Sequence, residues 1–152
     1  MLGELTSNQI DQVLYSQVIG RIACYADDKA YIVPVTYAYD GKYLYANSRE
    51  GMKITMMRKN PEVCFEVDIV ENMANWRSVV MWGKYEELKT ESDRQRAAKI
   101  LKDRITPLQT SETVSRPMEG SIPPLIVEKK RRAITYRIKV IEKTGRFEKS
   151  TR

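Results

Sequence analysis

Four residues close together in this 152-residue chain have the types and spacing to hold a phosphate: Asn47, Ser48, Gly51 and Lys53, within the stretch YLYANSREGMKITMMRKNP, Tyr43–Pro61. An alternating aromatic strand runs into a polar turn and then into a short helix. Unpaired N–H groups and the helix dipole both favour an anion at such a junction, and Lys53 adds a full positive charge. An ordinary strand-to-helix junction, with Ser48 as N-cap and Lys53 in solvent, would use the same residues. Other chemistry is narrowed by composition. The chain has no histidine, which excludes a Ser-His-Asp triad, a Cys-His dyad and a His-ligated zinc or haem. Cys24 and Cys64 fall in apolar, strand-like runs with no Cys-x-x-Cys spacing. They read as reduced, buried, small hydrophobes of a cytoplasmic protein.

The length suits one domain spanning 1–152, able to bury about 70% of its unfolded surface. With 42% hydrophobic and 30% charged residues the composition is globular, and no apolar run approaches the ~18 residues of a membrane span. Met1–Gly20 has no basic region followed by an apolar one, so a cytoplasmic location is expected. The formal net charge of +6 is spread among 20 carboxylates, with one dense cluster at Lys129–Arg132. A general attraction for anions accounts for it as well as nucleic acid does.

The phosphate turn needs elements on either side. Thr6 and Gln9 form a capping box and Leu5 and Ile10 a hydrophobic staple, starting a helix at Ser7–Ser16 within an N-terminal region 1–17. Strands are expected at Val18–Ala26 and Ala30–Tyr39, joined by a polar turn at Asp27, Asp28 and Lys29. Pro34 lies mid-strand and cannot donate to a ladder, so its strand is an edge, is bulged, or turns its backbone to a ligand. Asp40-Gly41 marks a hairpin into a third strand, Lys42–Asn47. In the helix after Gly51, Met52, Ile54, Met56 and Met57 are expected to face the core, and Asn60-Pro61 stops it.

Val63–Ile69 alternates as a fourth strand, followed by a polar turn at Val70–Asn75. Trp76–Leu88 is a fifth strand with Gly83 at a bulge or bend. Trp76 and Trp82 share a face, Trp82 being read as core. Ser92 and Gln95 suggest a second capping box, with Ala97, Ala98, Leu101 and Ile105 as the buried face of a third helix. The segment 106–124 holds four of the six prolines and reads as an irregular loop. Ala133–Ile141 is a sixth strand, and 143–152 a charged tail. Six mostly antiparallel strands with small helices at their ends describe a mainly β, closed barrel.

The run from Gly20 to Asp68, together with WRSVVMWGKYEEL and YRIKVIEKTGRFEK, resembles the pyridoxamine 5′-phosphate oxidase-like flavoproteins with an FMN-binding split barrel. Within them it is most similar to the nitroimidazole-resistance (Nim-type) branch. The resemblance covers about Gly20–Lys149 and rests on Gly20-Arg21, Pro34-Val35, Gly51-x-Lys53, Asn60-Pro61-x-Val63, Ser78-Val79 with Gly83, and Thr144-Gly145-Arg146. It implies a six-stranded split β-barrel, a homodimer, and FMN in a cleft at the subunit interface. The flavin ring would lie against Pro34, Val35, Thr36 and Tyr37, and the phosphate near Ser48 and Lys53. Asn47 could hydrogen-bond the ring or phosphate, and Trp76 and Ser78 would line the cleft from the same or the neighbouring subunit. Nim-type relatives carry a histidine just before the Gly-x-Lys turn, where this chain has Ala46 and Asn47. Asn47 cannot serve as a proton donor of useful pKa.

The resemblance implies an FMN-dependent oxidoreductase acting on a small molecule such as a nitro compound or quinone. A flavin or other cofactor binder without efficient turnover is the alternative the missing histidine suggests. A barrel binding single-stranded nucleic acid would need aromatics interleaved with Lys and Arg on one sheet face. Here the aromatics sit among apolar residues, so neither nucleic acid nor membrane is an expected partner.

Overall fold

The computed structural model describes residues 1–108 and 133–151. The expected loop at 106–124 lies outside these residues except for a 3-10 turn, Thr106–Leu108, and the basic cluster at Lys129–Arg132 lies outside them altogether. The elements run β1 (Leu2–Glu4), α1 (Ser7–Ser16), β2 (Ile19–Ala26), β3 (Lys29–Thr36), β4 (Ala38–Tyr39), β5 (Tyr43–Arg49), α2 (Met52–Lys59), β6 (Glu62–Asn72), β7 (Asn75–Glu87), α3 (Glu91–Ile105) and β8 (Ala133–Glu148). One antiparallel sheet has the order β3-β2-β6-β7-β8-β5-β4, with β1 added on β8.

The segment read as one strand, Ala30–Tyr39, is two. β3 pairs with β2, Tyr37 donates its N–H to Val18, and β4 then pairs with β5. The chain thus passes from one end of the sheet to the other through a single residue, which curls the sheet into a split barrel. Among the described residues β3 has no partner beyond β2, which is why Pro34 is tolerated in mid-strand. Asp27 and Asp28 both have positive φ, 53° and 59°, in the two-residue turn from β2 to β3.

The strands outrun the expected six. Val70–Asn75 is mostly strand, since β6 continues to Asn72 and β7 begins at Asn75. The charged tail from Lys143 is largely the end of β8, whose charged residues project from a strand paired with β7 on one side and β1 on the other. The register of β7 and β8 shifts after Trp82, leaving Ile141 without a partner opposite Gly83. A Cβ on Gly83 would lie 2.4 Å from the Lys139 carbonyl oxygen, so only glycine fits at that bulge.

The barrel interior holds Ile22, Leu44, Phe65, Val67, Val79, Met81, Tyr136 and Ile138, joined by Ile10, Val13 and Leu14 from α1 and Ile54, Met56 and Met57 from α2. Each such side chain contributes about 1.5–3 kcal/mol on burial. Met52 is exposed instead, because the helix turns its first residue to solvent. α3 covers the other side of β4 and β5, packing Ala97 and Leu101 on Ala38, Tyr45 and Leu88. Its N-cap is Thr90, which accepts from the N–H of Asp93, rather than Ser92. Ile105 packs half-buried against this cluster as expected and Ile100 joins it, whereas Ala98 faces solvent. Trp82 is 42% exposed, against expectation, because even-numbered β7 residues face outward. Cys64 likewise sits half-exposed on the outer face of β6 while Cys24 is buried, and both thiols are free.

Candidate functional site

The start of α2 is built from residues that folding alone leaves unused. Gly51 is the N-cap and provides no side-chain hydrogen bond to the first turn. Ser48 is not the cap: its hydroxyl donates to the Arg49 carbonyl at 3.0 Å, which leaves its lone pairs free to accept. Lys53 follows in the first turn, half-buried, with no ion pair to any described residue. Burial lowers its ammonium pKa from the ordinary value, the nearby Cys24 thiol opposing that shift. A partly desolvated cation beside open helix N–H groups is arranged for an anion.

β3 touches β5 across the split without hydrogen bonding to it. Pro34 and Thr36 are exposed on the outer face of β3, whereas the Val35 side chain is buried in the core. Tyr37 is fully buried, its hydroxyl donating to the Leu14 carbonyl at 2.7 Å, so its side chain holds α1 to the barrel. Asn47 is exposed and pairs in register with Thr135. Ala46 points into the barrel opposite Tyr136, whose buried hydroxyl is the one side-chain polar atom of its kind without a partner among the described residues.

Trp76 and Ser78 do not join this group within the chain. They lie on the outer face of β7, three strands from Pro34 along β3-β2-β6-β7, roughly 15 Å at ordinary strand spacing. The Trp76 indole donates to Glu148 at 3.1 Å, and the Ser78 hydroxyl to Glu66 at 3.2 Å.

Between the two groups is a cluster that sequence reasoning passed over. Arg21, the register partner of Pro34, places Nη1 at 3.6 Å from both Glu66 and Asp68. Burial first, and then Asp68, push the Glu66 carboxyl up to about 7. The signal was available in VCFEVDI, where both carboxylates occupy the outward slots of an alternating strand. Only the pairing of β2 with β6 brings the arginine to them.

The family model for pyridoxamine 5′-phosphate oxidase matches residues 6–145, nearly the whole of this architecture. The chain belongs to that family. An uncharacterized protein of Rhizobium meliloti (strain 1021) is 46% identical over 70 residues, 46% of this chain and 46% of that protein, so the match spans less than half of the relative. A solved FAD-binding protein from Mesorhizobium loti superposes with a TM-score of 0.73 at 28% identity, covering 99% of this chain and 98% of that one. A candidate 5-nitroimidazole antibiotic resistance protein from Bacteroides thetaiotaomicron gives 0.72 at 18% identity, covering 97% and 87%. That second likeness is one of fold. Among the described residues no helix is long and apolar enough to cross a membrane.

Proposed function

We propose that this member of the pyridoxamine 5′-phosphate oxidase family binds FMN at the split between β3 and β5 and acts as an oxidoreductase on a small molecule such as a nitro compound. The observation that carries the proposal is the start of α2, where a helix whose N-cap makes no side-chain hydrogen bond meets a half-buried Lys53 with no ion-pair partner among the described residues. The residues present fit the cofactor. Lys53, the Ser48 hydroxyl and the first N–H groups of α2 would hold the phosphate. The backbone edge at Pro34–Thr36 would take the flat ring, with Asn47 able to hydrogen-bond either part. When bound, the flavin supplies the hydride chemistry. The Mesorhizobium loti neighbour, described as binding FAD, supports a flavin for this chain as well.

The reading includes a homodimer with the cleft at its interface. Trp76 and Ser78 are too far from Pro34 to close a cleft around one flavin in a single chain, so they would serve the site of a second copy. The outer face of β2, β3 and β7 exposes Ile19 at 52%, Ile32 at 64% and Trp82 at 42%. An apolar surface of this kind supports pairing of two chains. The absence of histidine favours one other reading, a flavin binder without efficient turnover.

Reconstitution with FMN tests the proposal. A yellow protein whose absorption at ~450 nm survives desalting is expected, and a colourless one would overturn flavin binding. With flavin bound, NAD(P)H oxidation in the presence of nitro compounds or quinones is expected. No turnover with any acceptor would leave the binder reading in its place.

A further inference from the structure

A cavity of about 470 Å³ lies at the far end of the barrel from α2, between the N-terminal segment and the ends of β6, β7 and β8. The two ends of the 16-residue β8 separate it from the phosphate turn: Ala133 pairs with Arg49, whereas Glu148 pairs with Trp76. Leu5, Ile69 and Phe147 give it apolar walls. Arg77 also lines it, half-buried, with Ile69 and Phe147 as its two register partners. The Arg77 guanidinium makes no ion pair or hydrogen bond to any described residue, and its cross-strand neighbours offer it only hydrocarbon. Lys149 brings a second cation, also without a side-chain partner among the described residues.

We propose that this cavity binds a small monoanionic carboxylate with a flat, apolar body. A guanidinium fork matches a carboxylate bidentately, and the walls beside it suit an aromatic or aliphatic group. The volume is that of a small-molecule site. Glu71 and Glu148 also line the cavity, Glu148 being engaged by the Trp76 indole, and their charge disfavours a dianion such as a phosphate monoester. Trp76 also lines the cavity and is the one residue it shares with the flavin cleft proposed for a second copy; the assignment rests on Arg77 and the apolar walls, not on that cleft.

Benzoate is the probe, with neutral benzamide as its isostere, read by isothermal titration calorimetry on the FMN-free protein. Saturable binding of benzoate is expected. Benzamide, and benzoate with Arg77→Gln, should bind about tenfold more weakly or worse. Equal affinity for the two probes, unchanged affinity in Arg77→Gln, or no saturable signal would each overturn the assignment. Should circular dichroism show Arg77→Gln misfolded, Lys149→Gln replaces it: a several-fold loss supports the site, and unchanged affinity overturns it.

Discussion

The two helices that open and floor the barrel begin in opposite ways. At α1 the hydroxyl of Thr6 accepts the N–H of Gln9 at 3.3 Å and the Gln9 side chain accepts the N–H of Thr6 at 2.8 Å, closing a capping box. At α2 the cap is Gly51, which offers no side-chain hydrogen bond to the first turn. The contrast extends along α2 itself. Arg58 in its last turn binds Glu87 at 2.7 Å and Glu50 at 2.6 Å, and Lys59 binds Asp27 at 2.6 Å, whereas Lys53 in its first turn binds no described carboxylate. A capped start contributes about 1 kcal/mol, so α2 forgoes stabilisation that α1 takes up. Such an omission beside a half-buried cation is what the proposed phosphate site requires.

Filling the open start should have the largest effect. Gly51 is extended, with φ −168°, and the nearest atom to an added Cβ is the Arg49 carbonyl oxygen at 3.9 Å, so Asp fits there without strain. Gly51→Asp should cap α2 and raise the melting temperature of the apoprotein while weakening FMN roughly hundredfold, because a carboxylate would occupy the phosphate's place. Calorimetric titration beside thermal melts checks both halves, and a variant that gains stability yet keeps its FMN affinity would end the comparison between the helix starts. Lys53→Ala comes next, with a loss of about thirtyfold, near 2 kcal/mol for hydrogen bonding to a charged group. Lys59→Ala is its control and should leave affinity unchanged. At the other helix, Thr6→Ala should cost about 1 kcal/mol of stability in chemical denaturation and alter FMN binding not at all.

How far this contrast could be read in advance depended on which interactions are local. The Thr6–Gln9 box, the Asp40-Gly41 turn and the Gly83 bulge all lie within a few residues, and each was legible as a pattern. The switch at Tyr37 was not, because alternation continues straight through Ala30–Tyr39 and only the change of partner from β2 to β5 breaks the strand. Trp82 shows a related limit: spacing placed it on the same face as Trp76 but could not say which face of β7 the core occupies. The end of β8 was hidden by its charges, which sit on a strand whose pairing with Trp76–Trp82 is settled about seventy residues away in sequence. For the candidate site, the strand, glycine and lysine of the proposed phosphate turn could be read because they are contiguous. The Arg21–Glu66–Asp68 cluster and the separation of Trp76 from Pro34 required the sheet order.

That cluster supplies the smallest effect and the inverse of Lys53: a surplus of carboxylate where the helix start has a surplus of cation. With its carboxyl raised from 4.5 to about 7 by burial and Asp68, Glu66 holds its proton longer in the folded chain than in the unfolded one. The resulting stability is fully present below pH 4.5 and is lost as pH rises through about 7. Glu66→Gln keeps the shape and removes the titration, so its melting temperature should match the parent in acid and exceed it above pH 7. Arg21 offsets little of this, since its guanidinium is 44% exposed and no closer than 3.6 Å to either carboxylate. Melting curves from pH 4 to 9 decide the matter. Parent and variant running parallel across that range would mean that Glu66 is ionised throughout and that Arg21 neutralises the pair after all.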